Sequence, residues 1–158
     1  VVLYAHMARP NPQWRDFAAG GEAMAVFLEP HAYVSPRHYA NPLSVPTWNY
    51  AAVHAYGTPR LIEPQEQKHA LMMSLIGEHD AGYLERFPGM PENYVEKMLA
   101  GVAAFAIDVT RLESRFKLSQ EKSPEDRARI IAELEASDDS AARATAALMR
   151  AHAPDGGA

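Results

Sequence analysis

The first half of the chain alternates short apolar runs with breaks rich in proline and glycine. β-Branched and aromatic residues open the chain and predict a strand over residues 1–8. Asn11 before Pro12 predicts the start of a short helix that ends near residue 18. Later apolar runs predict strands over residues 22–29, 31–35, 45–56 and 60–63, the last of them after a turn at 57–59.

Helical spacing of apolar residues appears after Pro64. The helix predicted over 64–81 has an apolar face formed by Leu71, Met72, Leu75 and Ile76. A second short helix is predicted over 91–101, and alternation over 104–118 predicts a strand with one solvated face. Ser123 before Pro124 predicts the start of a further helix, and an alanine-rich helix follows over 138–152. Strands come first and helices later, which predicts an α+β fold with a mostly antiparallel sheet closed as a barrel.

Composition limits the class of protein. The chain has 158 residues, of which 47% are hydrophobic and 22% charged, as expected for one globular domain. No apolar run approaches the ~20 residues that cross a bilayer, so no membrane partner is expected. The sequence has no cysteine, which excludes disulfides and thiolate sites and fits a cytoplasmic location. A net charge of −5 without a basic block disfavours direct binding to duplex DNA.

Several common kinds of site have no signature in the sequence. Neither the glycine-rich dinucleotide motif nor the P-loop motif occurs. Seven histidines are present, but their spacings match no metal-binding motif, so no metal site is predicted. Ser35 lacks the flanking glycines of a hydrolase nucleophile elbow, and no catalytic residue is predicted.

The densest unusual chemistry lies in the strand predicted over residues 45–56. Because adjacent side chains of a strand point to opposite faces, its residues divide into two sets. One face is large and aromatic, with Trp48, Tyr50, Ala52, His54 and Tyr56. The other is small with two polar tips, with Thr47, Asn49, Ala51, Val53 and Ala55. Two interpretations remain open: the aromatic face fills a core or an interface, or the small face lets a flat polar ligand lie against the strand.

Two other segments have a similar character. One places His6, Arg9, Asn11 and Trp14 near a strand end, and the other contains Tyr33, Ser35, Arg37 and Tyr39. An arginine near hydroxyl groups can bind a phosphate, and a tryptophan offers a stacking face. The alternative is that these side chains cover a hydrophobic rim.

Together, these segments resemble a known family. HMARPNPQW, EPHAYVSPRHY, VPTWNYAAVHAYG and LESRFKLSQEKSPEDR occur in this order in the PaiB-like, FMN-binding negative transcriptional regulators. The resemblance runs from about Leu3 to Met149. It implies an antiparallel split β-barrel of the FMN-binding type, and homodimers with sites at the subunit interface. It is also the only reason to expect DNA as a partner.

The resemblance suggests how the chain is organised. The split-barrel domain is expected over residues 1–122, with inserted helices at about 64–101, and the helices of 123–152 are expected to pack on the barrel or on the dimer partner. Relatives in this family carry further residues upstream. Because the chain begins at Val1 inside an apolar run, we expect its natural N-terminus to lie upstream as well.

We predict nine cofactor-binding residues from these motifs, with FMN as the cofactor: His6, Arg9, Trp14, Tyr33, Ser35, Arg37, Thr47, Trp48 and Asn49. Arg9 or Arg37 is expected to bind the phosphate, with Ser35 and Thr47 beside it, and Trp48 or Trp14 to lie near the isoalloxazine. If residues 47–49 all lie buried away from any cleft, packing alone explains that stretch. The predicted function is a dimeric FMN-binding transcriptional regulator. The alternatives are a flavin-dependent oxidoreductase and a cofactor-free dimeric interaction module.

Overall fold

The computed structural model describes residues 1–41 and 43–152, which form an α+β fold. Four strands and six α-helices are present in these residues, together with short 3₁₀ turns at Pro36–His38 and Phe87–Gly89. The strands are β1 (Val2–Ala8), β2 (Ala23–Val34), β3 (Thr47–Ile62) and β4 (Val102–Lys117). The helices are α1 (Trp14–Ala18), α2 (Gln65–His79), α3 (Ala81–Leu84), α4 (Glu92–Ala100), α5 (Pro124–Glu135) and α6 (Ser140–Ala151). None of the helices within the described residues is long and apolar enough to span a membrane.

The four strands form one sheet in the order β1-β4-β3-β2. β1 and β4 are antiparallel, with Val2 opposite Asp108 and Ala8 opposite Val102. β3 and β4 are therefore central strands, whereas β1 and β2 are edge strands. The sheet and helices confirm the predicted α+β class.

Two predicted interruptions of the strands were wrong. β2 continues through Pro30 and does not divide into two strands, and β3 continues through the predicted turn at residues 57–59. Gly57 permits a close approach between strands: a Cβ built on it would lie 2.2 Å from the carbonyl oxygen of Asp108 and 2.9 Å from Ile107 Cγ2. The glycine is thus required by packing against β4 and makes no turn.

The helix predicted from Asn11 begins later than expected. α1 begins at Trp14, because the side chain of Asn11 accepts a hydrogen bond from the backbone N–H of Gln13 (3.1 Å) in the preceding turn. The predicted end near residue 18 is confirmed.

The chain is organised in two compact units. The first unit comprises Val1–Met24 and Ala55–Arg111. Its buried core includes Ile62, Ala104 and Ala106, with Leu71 of α2 packed against them. The predicted helices α2 and α4 and the strand β4 are confirmed, and Gly101 ends α4 as expected.

The second unit comprises Ala25–His54 and the described residues from Leu112 onward. Its core joins strand residues to the last two helices and includes Ala32, Val34, Leu118, Ile130, Leu134, Ala146 and Met149. Ser123 caps α5 as predicted, because its Oγ accepts a hydrogen bond from the Asp126 N–H (3.1 Å). The predicted boundary at residue 122 stays a prediction.

One buried arginine near the start of α5 connects that helix to the residue after β4 and to the end of α6. Arg127 is only 5% exposed, and burial lowers its pKa. Its guanidinium donates hydrogen bonds to the carbonyl oxygens of Leu118 (2.6 Å) and His152 (3.0 Å) and also to that of Met149. A buried charge is tolerated only where such partners replace water, so this arginine and its three carbonyls form one structural cluster.

Candidate functional site

An aromatic cluster lies on β2 and β3, in the parts of these strands that belong to the second unit. The ring centroid of Trp48 lies 5.5 Å from that of His31 and 6.1 Å from that of Tyr33, the latter in an edge-to-face arrangement. Trp48 is 52% exposed and Tyr33 is 51% exposed. The cluster therefore presents aromatic surface to solvent, although its rings also support one another.

A positively charged side chain, that of Arg37, lies just after the end of β2. Ser35 is buried, and its Oγ accepts hydrogen bonds from the backbone N–H and the side-chain Nε of Arg37, both at 3.3 Å. The 3₁₀ turn that begins at Pro36 fixes this arrangement. Arg37 has no carboxylate partner within ion-pair distance among the described residues, so its guanidinium remains available to an anion.

Both features line one cavity of about 320 Å³. This volume lies at the lower end of the ~300–1,000 Å³ typical of small-molecule sites. Tyr33, Arg37 and Trp48 contribute to its wall from the strand side. The end of α5, the connection that follows it and the start of α6 complete it with Glu133, Leu134, Ser137, Asp139 and Ala142. The cavity thus combines aromatic faces, one cation and several hydrogen-bonding groups.

Thr47 and Asn49 lie on the opposite face of β3 from Trp48. Thr47 is half-buried, and its hydroxyl accepts a hydrogen bond from Lys117 Nζ. Asn49 is 0% exposed. Its Nδ2 donates to Met149 Sδ (3.3 Å), and its Oδ1 accepts from Ser119 Oγ (3.0 Å). The small face of β3 therefore packs into the core of its unit here, and Asn49 has no surface to offer a ligand.

The remaining predicted residues lie in the first unit. His6 is exposed on β1, opposite Ala104. Arg9 lies 4.9 Å from the centroid of Trp14, whose indole N–H donates to the Arg9 carbonyl oxygen (3.0 Å). The guanidinium of Arg9 also pairs with Glu63 (3.3 Å). Because this carboxylate already compensates its charge, Arg9 suits a phosphate less well than Arg37 does.

The structure therefore groups the predicted residues unevenly. It brings Tyr33, Arg37 and Trp48 to one cavity, places Ser35 beside Arg37, and pairs Arg9 with Trp14 in the first unit. The sequence did not reveal the part that the α5–α6 segment plays: Glu133 lies on α5, whereas Ser137 and Asp139 lie in the connection between α5 and α6, all far along the chain from the strands. His31, by contrast, lies within a motif that the sequence had already marked.

Comparison with known proteins establishes the family. Residues 1–111 match the model of the family described as "Putative FMN-binding domain". The chain is 34% identical over 150 residues to the protein named "Protease synthase and sporulation protein PAI 2" of Bacillus subtilis, an alignment that covers 93% of this chain and 71% of the relative.

Solved structures establish the fold type. The FAD and heme binding protein from Mycobacterium smegmatis is similar with a TM-score of 0.55 and 18% identity, over 80% of this chain and 59% of that one. The flavocytochrome Anf3 from Azotobacter vinelandii gives a TM-score of 0.54 and 14% identity, over 80% and 56%. The chain thus spans somewhat more than half of these solved proteins. Their likeness confirms the predicted fold of the split-barrel type, and the chain belongs to the PaiB-like family of FMN-binding-domain proteins.

Proposed function

We propose that this chain binds FMN at the cavity of the second unit and acts as a dimeric regulatory protein. The observation that carries the proposal is the presence of an arginine without a carboxylate partner and a half-exposed tryptophan on the wall of one cavity. Membership of an FMN-binding-domain family gives the cofactor its identity.

The chemistry of the cavity fits the parts of FMN. Arg37 would bind the phosphate, since a guanidinium makes two-pronged hydrogen bonds to phosphate oxygens, and Ser35 would hold that guanidinium in place. Trp48 and Tyr33 would contact the isoalloxazine through their ring surfaces. Glu133 and Asp139 would accept hydrogen bonds from the ribityl hydroxyls. Bound FMN would supply hydride and one-electron transfer, which belong to the cofactor.

A second copy of the chain would cover the edge strand β2. Val26, Phe27 and Leu28 are 52%, 51% and 53% exposed, which is unusual for large apolar side chains in succession. An edge strand that exposes such residues readily pairs with another chain. We therefore place the dimer contact at residues 26–28, and Phe27→Glu should shift the molar mass measured by light scattering from dimer to monomer. A dimer that persists in this variant would refute the assignment.

The name of a relative supports the regulatory role. The name of the Bacillus subtilis protein refers to protease synthesis and sporulation. The acidic net charge of −5 weighs against binding duplex DNA by charge alone. Regulation would therefore act through a cofactor-dependent contact with a partner, in a cytoplasmic location that fits the cysteine-free sequence.

Flavin binding is tested directly. The purified protein, or the apoprotein after addition of FMN, should show the two visible absorption bands of an oxidised flavin. Arg37→Ala should weaken FMN binding about tenfold to one-hundredfold, because a charged hydrogen bond contributes about 1.5–3 kcal/mol. Trp48→Ala should weaken binding and relieve quenching of flavin fluorescence, whereas Trp48→Phe should retain part of both. Arg129→Ala, which removes a surface cation of α5, serves as the control.

The outcomes separate the alternatives. A colourless protein that takes up no added FMN would leave the cofactor-free interaction module. Loss of FMN binding in Arg9→Ala but not in Arg37→Ala would move the phosphate to the first unit and refute the assigned cavity. Bleaching of the bound flavin by NADH or NADPH would favour the flavin-dependent oxidoreductase over the regulator.

A further inference from the structure

The helices between β3 and β4 line a second, open cavity that lies wholly within the first unit. Its volume is about 560 Å³, within the range of ~300–1,000 Å³ for small-molecule sites. α2, α3, the 3₁₀ turn at Phe87–Gly89 and α4 form its wall. A smaller cavity of about 180 Å³ shares much of this lining, including Met73, Met90 and Leu99, so the two adjoin and together make one largely apolar space.

The floor of this space is rich in methionine. Met72, Met73, Met90 and Met98 line it, and they are four of the seven methionines in the sequence. Methionine side chains are flexible and polarisable, and surfaces rich in them accommodate apolar groups of varied shape. The floor therefore suits an aliphatic or aromatic chain without demanding one particular outline.

The rim has the opposite chemistry. The carboxylates of Glu66, Glu92 and Glu96 line the larger cavity, and neither lysine nor arginine lines it within the described part of the chain. These three carboxylates form no ion pair or hydrogen bond with any described residue. Glu92 and Glu96 are four residues apart on α4, where like charges repel and destabilise the helix slightly. A cation at this rim would relieve that repulsion.

The two nearby lysines do not fill this role. Lys68 is buried and pairs with Glu63 (3.3 Å). Lys97 directly follows Glu96 on α4, and adjacent residues of a helix do not face each other. His69 lines the cavity, but its ring makes an edge-to-face contact with Phe87 at 5.5 Å.

We infer that this cavity binds a lipophilic amine, with its apolar chain among the methionines and its ammonium group between the carboxylates. A neutral hydrocarbon would leave the three carboxylates uncompensated, and an anion would be repelled by them. The exposed rim also lets the ammonium group keep part of its hydration while the chain is buried. This inference does not depend on FMN binding, because the residues that carry it lie in a different unit from those proposed to hold the flavin.

Three probes that share one alkyl tail and differ in the head group test which ligand charge the cavity prefers. Octylamine, octanol and octanoate should bind the full protein in that order of affinity, measured by calorimetric titration. The shifts of methyl-labelled methionines should locate the site, with Met73 and Met90 moving and the buried Met149 unchanged. Glu92→Gln combined with Glu96→Gln should weaken octylamine about twofold to thirtyfold, the range expected for two exposed ion pairs, and should leave octanol unchanged.

Glu78→Gln is the matched control, since Glu78 lies on α2 but does not line the cavity. Binding of octanol as tightly as octylamine, or an equal loss of both in the double variant, would refute recognition of the amine. Tighter binding of octanoate than of octylamine would show that the cavity prefers an anion, and this would refute the inferred amine. Shifts at none of the cavity methionines with any of the three probes would show that the cavity binds no such ligand. The flavin spectrum, recorded in the same samples, reports on FMN separately.

Discussion

Replacement of Asn49 by alanine distinguishes a packing residue from a ligand residue. Asn49 has no exposed surface, and Ser119, which donates to its Oδ1 at 3.0 Å, is 1% exposed. Asn49→Ala leaves the buried hydroxyl of Ser119 without its hydrogen-bond partner, which lowers the free energy of unfolding by about 1–3 kcal/mol. The cavity that remains adds about 1 kcal/mol. The hydrogen bond to Met149 Sδ adds little because a thioether is a weak acceptor, so we expect a loss of about 2–4 kcal/mol.

The assay is urea denaturation followed by the fluorescence of the two tryptophans, Trp14 and Trp48. A double-mutant cycle with Ser119→Ala isolates the hydrogen bond: the double variant should be more stable than the sum of the single losses implies. FMN affinity should stay unchanged at temperatures where the variant is folded. A loss below about 0.5 kcal/mol, or weaker FMN binding without loss of stability, would refute the assignment of Asn49 to packing.

Two further changes test other features of the core. The Tyr39 hydroxyl is buried without a partner among the described residues, so Tyr39→Phe should stabilise the protein by about 1 kcal/mol. Burial raises the pKa of Tyr39 above 10.0, so the native protein should lose stability as pH rises through that value, and this part of the loss should vanish in the variant. Urea midpoints at neutral and alkaline pH measure both effects. Tyr94→Phe is the control and should change neither, because Tyr94 is 51% exposed. An unaltered midpoint in Tyr39→Phe would indicate that the hydroxyl of Tyr39 has a hydrogen-bond partner. Gly57→Ala should cost about 3 kcal/mol or more, because its methyl group would overlap the carbonyl of Asp108. Gly89→Ala meets no atom within 4 Å and should be tolerated, and equal midpoints for the two glycine variants would contradict the close approach.

The sequence was informative at several places where local chemistry decides structure. Ser123 and Pro124 marked the start of α5 because a cap and a fixed φ act within one turn. It was misleading at Pro30 and Gly57, where local rules predict a break. At Gly57 the deciding contact is with Asp108, far along the chain, and no local pattern reports it.

In the candidate site, too, the sequence indicated the features that depend on local residues and missed those that depend on distant contacts. The motifs around β2 and β3 pointed to Tyr33, Arg37 and Trp48, and the alternation of faces along β3 separated Trp48 from its neighbours Thr47 and Asn49. The burial of Asn49 could not be foreseen, since its partners Ser119 and Met149 come from distant segments. For the same reason, the helical side of the cavity became visible only in three dimensions.

The cluster around Arg127 limits how the chain can be shortened. Two of its three carbonyl acceptors, those of Met149 and His152, come from the end of α6 and the residue after it. A truncation before residue 149 would leave a buried guanidinium with a single acceptor, and removing the partners of a buried charge costs about 3–5 kcal/mol. Shortened versions for crystallisation, and fusion points for tags, should therefore keep the backbone intact through residue 152.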